Sequence, residues 1–205
     1  MSERKQQVLQ AAVDIIVDEG YGSLSMRALA RASGIKLGAL QYHFRTSEDM
    51  LRALVAYIAD IYHSNFDAVK ANEPLTIKGV LEFASSEPAD GRLQADKLWP
   101  QLWAMGQVEP LVADLVEDIY AEYLQILEGL LHKAGSKNPR VESITLMAFV
   151  EGATIFTASG KRWENDASKI HSVVYDLVDR LYGCLLYTSD AADDSLRVDL
   201  GGRRI

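Results

Sequence analysis

Apolar residues recur at helical spacing along almost the whole chain, and this periodicity constrains the fold more than any other feature. The first stripe and the glycine that stops it are Val8, Leu9, Ala12, Val13, Ile16 and Gly20. Strand-like alternation, hairpin turns and internal repeats are not found in the sequence. The sequence therefore predicts an all-α protein of about nine helices.

Length and composition set the broad class of protein. The chain has 205 residues, of which 48% are hydrophobic, so it can bury a core in one or two small domains. No stretch approaches the roughly 20 uninterrupted apolar residues of a membrane span. The start "MSERKQQVLQ" lacks the apolar region of a signal peptide, and Cys184 is the single cysteine, which excludes an intrachain disulfide and a cysteine-based metal site. We therefore expect a cytoplasmic protein.

Charge is unevenly distributed. The whole chain carries −8, whereas residues 1–46 carry six Lys and Arg against four acids, a net +2. A basic head on an acidic body indicates that the head alone meets a polyanion. Chance variation in surface charge is the alternative.

The predicted helices follow one another with short connections. Ser25 caps a short second helix, a third runs from about 36 to 44, and a capping run at Thr46 opens a long helix to about residue 70. Further helices are expected at about 75–87, over "LQADKLWPQLWAMGQ" with a kink at Pro100, over a long segment ending near Gly135, at about 140–160 and at 166–183.

The end of the chain differs from the rest. From Cys184 to Ile205 it reads "CLLYTSDAADDSLRVDLGGRRI", where the apolar periodicity is lost, and this string resembles the translated read-through of a sequencing adapter. A genuine disordered tail is the alternative. We expect three parts: a DNA-binding head at 1–46, a helical body at 47–183 and a non-native tail at 184–205.

The stretch "SMRALARASGIKLGALQYHFRTSEDML" has the spacing that a helix-turn-helix needs. Ala30 is small where the second helix crosses, Gly34 suits a positive φ in the turn, and Leu40 faces back into the core. The second helix would present small and polar residues that fit a major groove, where Gln41 can bond to base edges. A helical hairpin without a DNA role is the alternative.

These residues, from Val8 to Leu51, closely resemble the TetR family of transcriptional regulators. The family pattern occurs here as Gly20, Ser25, Leu29-Ala30, Gly34-Ile35 and Tyr42-His43-Phe44, and the resemblance covers about a fifth of the chain. It implies a ligand-responsive DNA-binding regulator, usually a repressor of nearby genes, that binds a palindromic operator as a dimer.

The resemblance also implies roles for individual residues. The expected DNA-binding residues are Ser25, Arg27, Lys36, Leu37, Gly38, Ala39, Gln41, Tyr42, His43 and Ser47, with Met26 near the backbone. Arg4 and Lys5 are expected to reach phosphates from a flexible arm. The family usually has a lysine where this chain has Ser47, so we expect a shallower salt dependence of binding by roughly one unit. Leu40 and Phe44 are expected in the core.

The body is expected to supply a dimer interface and an effector site. The family pairs through its last two helices, here about 140–160 and 166–183. The expected ligand-binding residues are Phe83, Trp99, Trp103, Met105, Tyr120, Tyr123 and Phe149, with plain core packing as the alternative for each. "LWPQLWAMGQVEPL" resembles the choline-responsive BetI-like branch, and Glu109, Glu117 and Glu122 are candidates to favour a cation.

Two other classes of protein fit the sequence less well. An enzyme would need a catalytic constellation, but the four histidines are scattered, and neither a P-loop nor a nucleophile elbow is present. A helical interaction module without sequence-specific DNA binding is the remaining alternative. We expect no cofactor and no enzymatic activity.

Overall fold

The computed structural model describes residues 2–72, 74–86 and 91–183, and within them it contains nine α-helices and no strand. The helices are α1 (Glu3–Glu19), α2 (Met26–Ala32), α3 (Leu37–His43), α4 (Ser47–Asn72), α5 (Ile77–Ala84), α6 (Ala95–Gly106), α7 (Pro110–Lys133), α8 (Pro139–Thr157) and α9 (Ala167–Val178). A π-helical turn, Asp179–Gly183, extends α9. The all-α prediction is confirmed, and the suspected tail, 184–205, lies outside the described residues.

The first three helices form the head around a small apolar core. The predicted stripe of α1 is buried, and it shares the core with Leu29 of α2 and Leu40 of α3. Phe44, directly after α3, is also fully buried. Burial of these side chains fixes the direction of α3 relative to α1, because each apolar contact is lost if the helix rotates.

The long helix α4 joins the head to the body. Thr46 accepts a hydrogen bond from the amide of Asp49 at 3.0 Å, and the carboxylate of Asp49 accepts one from the amide of Thr46 at 3.2 Å. This reciprocal pair is a capping box, so Thr46 rather than Ser47 caps the helix. With 26 residues α4 is about 39 Å long, and it packs against both α1 and α7.

Helix α6 continues through Pro100, where the sequence predicted a kink. Pro100 is the sixth residue of this helix, so its missing N–H removes the single bond to the carbonyl of Asp96. Asp96 and Pro100 are both half-exposed, and water can satisfy that carbonyl. The helix therefore continues from Ala95 to Gly106, and it packs against α1 and α7.

Candidate DNA-binding surface and effector site

The turn between α2 and α3 has the geometry that its sequence predicted. Gly34 adopts φ 64°, in the left-handed region, and the amide of Ile35 donates to the carbonyl of Ala30 at 3.0 Å. Ser25 caps α2 by accepting from the amide of Ala28 at 3.2 Å. Two short helices are thereby held at a fixed angle, with the outer face of α3 directed to solvent.

That outer face is small and polar. Tyr42 is 88% exposed, and the other exposed residues of this face are Lys36, Gly38, Ala39 and Gln41. A Cβ placed on Gly38 would meet no atom of the protein within 4 Å. Glycine inside a helix costs about 1 kcal/mol relative to alanine, and here no internal contact requires it. The small residue leaves room for a partner to approach α3 closely from outside.

The remaining predicted DNA contacts surround this face. Ser25, Arg27 and Ser47 are exposed, at the starts of α2 and α4. Leu37 and His43 are half-buried; Leu37 packs against the core, and the His43 ring meets that of Tyr42 edge-on at 5.8 Å between centroids. Both therefore present only part of their side chains to a partner.

The expected flexible arm is not seen, because α1 already begins at Glu3. Arg4 donates to Gln7 at 2.9 Å and to the carbonyl of Ser33 at 3.2 Å. The ammonium of Lys5 lies 5.2 Å from the ring centroid of Phe44. Both basic residues thus belong to the ordered head beside α2 and α3, because Ser2 caps the helix that carries them.

In the body, five of the predicted ligand-binding residues lie in two neighbouring groups of aromatic rings, which come from α4, α5, α6 and α7. Trp99 is the centre of the first group, which we call the aromatic cluster, with ring centroids 5.3 Å from Tyr120, 6.5 Å from Trp103 and 5.2 Å from Tyr62. A neighbouring triad joins Phe66, Phe83 and Tyr123 at centroid distances from 4.8 to 5.8 Å. The sequence did not single out Tyr62 and Phe66, because they continue the apolar stripe of α4 and look like ordinary core residues.

Glu151 of α8 adds a charge to this cluster, and sequence reasoning missed it. Burial raises the pKa of the Glu151 carboxyl to about 7, and the interaction with Tyr120 offsets part of this rise. Burial and the nearby Glu151 charge raise the pKa of Tyr120 in turn. With Trp99 and Thr154, Glu151 lines a cavity of about 90 Å³. The sequence does contain a signal for Glu151, because it is an isolated acid in the apolar stretch "ITLMAFVEGATIFT".

The hydroxyl of Tyr123 is a second unusual polar group here. It is buried, and within the part of the chain that the structure describes it has no hydrogen-bond partner. Burial is also the main cause that raises the pKa of this hydroxyl above its usual range. An unpaired buried hydroxyl costs about 1–3 kcal/mol, and such groups are a common sign of a missing ligand or water.

Two predicted ligand-binding residues do not join the cluster rings. Met105 lies on α6 and is buried in the apolar core of the protein. Phe149 is 44% exposed and lines a different cavity, on the outside of α8, with Gly152, Phe156 and Trp163. The reason is helical geometry: Phe149 and Glu151 are two residues apart, which directs them to nearly opposite sides of α8.

The three acids expected to favour a cation have other surroundings. Glu109 accepts a hydrogen bond from Tyr21 at 2.6 Å, and Glu122 pairs with His63 and Lys70, both at 2.9 Å. Glu117 is exposed on α7. The acid that faces the aromatic rings is Glu151 instead.

The last two helices carry an unusual amount of exposed apolar surface. In the part of the chain that the structure describes, the exposed large apolar side chains other than Tyr42 and Val108 lie in or beside these two helices: Val141, Ile144, Phe149, Ile155, Phe156, Trp163, Val173, Leu177 and Leu181. We call this set the α8–α9 face. Apolar surface of this extent usually marks an interaction site.

Two further features bear on what the chain can bind. In residues 2–72, 74–86 and 91–183, no three His, Cys, Asp or Glu side chains are grouped so that they could hold a metal ion. None of the helices in these same residues is long and apolar enough to cross a bilayer.

Comparison with known proteins agrees with the geometry of the head. Residues 8–54 match the family model of bacterial regulatory proteins, tetR family. The chain is 23% identical to the HTH-type transcriptional regulator BetI 2 of Chromohalobacter salexigens, over 92% of this chain and 94% of the relative. It is 26% identical to the nucleoid occlusion factor SlmA of Haemophilus ducreyi, over 74% and 79%.

Solved structures of similar fold cover the body as well. A transcriptional regulator from Saccharomonospora viridis, determined in complex with choline, aligns with a TM-score of 0.72 at 20% identity, over 87% of this chain and 97% of that one. A TetR regulator from Legionella pneumophila aligns with a TM-score of 0.66 at 18% identity, over 86% and 98%. The head of the chain, residues 8–54, thus matches the tetR family of bacterial regulatory proteins, and the chain as a whole shares the fold of these solved TetR regulators.

Proposed function

We propose that this regulator is a repressor that binds a palindromic operator as a homodimer and is released by a small-molecule effector. The observation that carries the proposal is the outer face of α3, where Gly38, Gln41 and Tyr42 are exposed on a rigidly held helix. It acts on DNA in the cytoplasm by binding, without a catalytic step.

The residues around α3 have different proposed roles in DNA recognition. Gly38 and Ala39 allow the helix to enter the major groove closely, and Gln41 reaches base edges. Tyr42, His43 and Lys36 reach bases or phosphates, while Ser25, Arg27 and Ser47 hold the backbone on either side. Leu37 contributes through the part of its side chain that the core leaves uncovered.

The α8–α9 face is the proposed dimer interface. One recognition helix reads a single half-site, and a two-fold dimer reads two half-sites about one helical turn, roughly 34–36 Å, apart. Burying the exposed apolar side chains of α8 and α9 in a second copy would remove them from water. Small residues of α8, such as Gly152, allow the helices to approach closely.

The aromatic cluster around Glu151 is the proposed effector site, and an organic cation is its proposed ligand. A cation is stabilised by aromatic faces such as those of Trp99 and Tyr120, and by a nearby carboxylate. Support comes from the BetI relatives and from the Saccharomonospora viridis structure with choline, a quaternary ammonium compound. Binding would favour one body conformation, and DNA affinity would fall as the heads move with α4.

To test the proposal, the full chain is incubated with fragments of the DNA that flanks its gene, at two salt concentrations. The fragments that it binds are then selected and sequenced. We expect one palindromic site, bound more weakly at high salt. Gln41→Ala and Tyr42→Ala should each weaken binding roughly 5- to 100-fold, because base readout is lost. The matched control is Gln107→Ala, an exposed glutamine of the body. Failure to enrich any site at either salt would refute the proposed function.

A further inference from the structure

Helix α6 is linked to the head at both of its ends. Just before it begins, the carbonyl of Arg92 accepts a hydrogen bond from Nε2 of Gln10 at 2.6 Å. Just after it ends, Oε1 of Glu109 accepts one from the hydroxyl of Tyr21 at 2.6 Å. Gln10 lies on α1 and Tyr21 directly follows that helix.

The spacing of these two contacts shows that α1 and α6 lie side by side. Gln10 and Tyr21 are 11 residues apart, about 16 Å along a helix, and the 12 residues of α6 span about 18 Å. Between the ends, Gly20 lies close to Gln101, where an added Cβ would be 3.8 Å from its side-chain oxygen. α1 and α6 also pack directly against each other.

The same α6 carries two residues of the aromatic cluster, Trp99 and Trp103. A displacement of α6 would therefore reach α1 without passing through α4. Gln10 also connects α1 with α4, since its Oε1 accepts a hydrogen bond from the hydroxyl of Tyr57 on α4 at 2.8 Å.

We infer that Gln10 and Tyr21 are positioning residues: with the carbonyl of Arg92 and the carboxylate of Glu109 they clasp α6 and set the orientation of the DNA-binding head. The Tyr21–Glu109 bond is the more specific half of this clasp, because it is half-buried and joins two side chains. It lines a cleft of about 560 Å³ between the head, the start of α4 and the start of α7. Because this cleft leaves open space beside the bond, we expect its loss to loosen the head on that side.

The clasp is tested by measuring the distance between head and body. Spin labels are placed at Arg31→Cys and His132→Cys, two exposed positions, in a Cys184→Ser background diluted with unlabelled protein. Pulsed electron paramagnetic resonance then gives the distance distribution. Tyr21→Phe removes only the hydroxyl, so we expect a broadened or shifted distribution, and a larger change when Gln10→Ala is added.

A matched control distinguishes positioning from stabilisation. Tyr182→Phe removes a similar tyrosine–glutamate bond, to Glu142, at a place far from the head in sequence and within the body. A merely stabilising bond would lower the melting temperature in both variants and leave the distances unchanged. Glu109→Gln keeps an acceptor oxygen, so it should retain the wild-type distances; a shift there would overturn the hydrogen-bond assignment.

The distance measurement does not depend on the proposed function, whereas a second readout does. On the selected operator, Tyr21→Phe should change the dissociation constant roughly 3- to 10-fold, and Tyr182→Phe less than about 2-fold. Unchanged distances in both Tyr21→Phe and the double variant would overturn the clasp. If no operator is found, the distances still decide it.

Discussion

The indole Nε1–H of Trp103 donates to the hydroxyl of Tyr120 at 3.0 Å, and this bond joins α6 to α7 inside the aromatic cluster. The carboxyl of Glu151 on α8 lies near enough to Tyr120 for each group to shift the pKa of the other. Three half-buried polar side chains, one each from α6, α7 and α8, thus lie close together beside the aromatic rings. Polar groups in partly apolar surroundings are costly unless each is satisfied, so we expect a ligand that pairs with the Glu151 carboxylate to alter the surroundings of Tyr120 and Trp103.

Glu151→Gln should weaken binding of an organic cation at least 10-fold while preserving the side-chain volume. The neutral amide keeps a hydrogen-bond partner for Tyr120 but removes the charge that faces the rings. Choline is the probe, followed by quenching of tryptophan fluorescence, because Trp99 and Trp103 lie in the cluster. Glu117→Gln, an exposed acid of α7, is the control, and equal affinity in both variants would contradict a role for Glu151.

Cation binding should strengthen as the pH rises from 6 to 8. The pKa of Glu151 is about 7, so the carboxylate gains its charge across this interval. In the Glu151→Gln variant the residual affinity should not follow this pH dependence. A titration of choline at pH 6, 7 and 8 with both proteins measures the difference.

The same shift predicts how stability depends on pH. The folded-state pKa of Glu151 lies above the ordinary value of 4.5, so the folded protein binds this proton more tightly than the unfolded chain. The free energy of unfolding should therefore fall as the pH rises from 4.5 to 7, by at most about 1.4 kcal/mol per pH unit from this group. Urea unfolding of the wild type minus that of Glu151→Gln, at several pH values, isolates the contribution. A difference that does not vary with pH would exclude a raised pKa.

The head was largely predictable from sequence, and the effector site only in part. Local rules fix the turn: Gly34 must reach a positive φ, and Leu29 and Leu40 must meet across it. The cluster instead depends on contacts between helices distant in sequence. Trp99 and Trp103 could be predicted because aromatic residues are concentrated in that part of the sequence. Tyr62 could not, because the pattern of its helix makes it look like an ordinary core residue. Glu151 could not, because an acid on its helix looks like a surface residue.

The structure departs from the sequence-based expectations at three places, each for a geometric reason. Phe149 was grouped with the ligand-binding residues by residue type, although its helical phase directs it away from Glu151. Arg4 and Lys5 were expected on an arm because sequence patterns define helix starts poorly. Tyr21 and Glu109 are 88 residues apart, and no local pattern connects them.

Gly38→Ala should raise stability and weaken DNA binding together. No atom of the protein lies within 4 Å of the added Cβ, so the helix should gain about 0.5–1 kcal/mol in its free energy of unfolding. The methyl group would, however, hold α3 away from the groove floor and weaken operator binding roughly 10-fold. Gly129→Ala on α7 has the same open surroundings and should gain the stability without losing affinity. Equal operator binding by both variants would exclude close approach at Gly38.

Val173→Glu should convert the proposed dimer to a monomer. Val173 is 63% exposed on the α8–α9 face, and a carboxylate there would be buried without a partner in a two-fold interface, where it meets its own copy or the opposing apolar surface. Val108→Glu is the control, since Val108 is 70% exposed and lies outside that face. Light scattering after size-exclusion chromatography should give twice the chain mass of 22.7 kDa for the wild type and the control, and one chain mass for Val173→Glu. The monomer should in addition lose most of its operator affinity, because two half-sites are no longer bound together. If Val173→Glu remained dimeric, the interface would have to lie elsewhere.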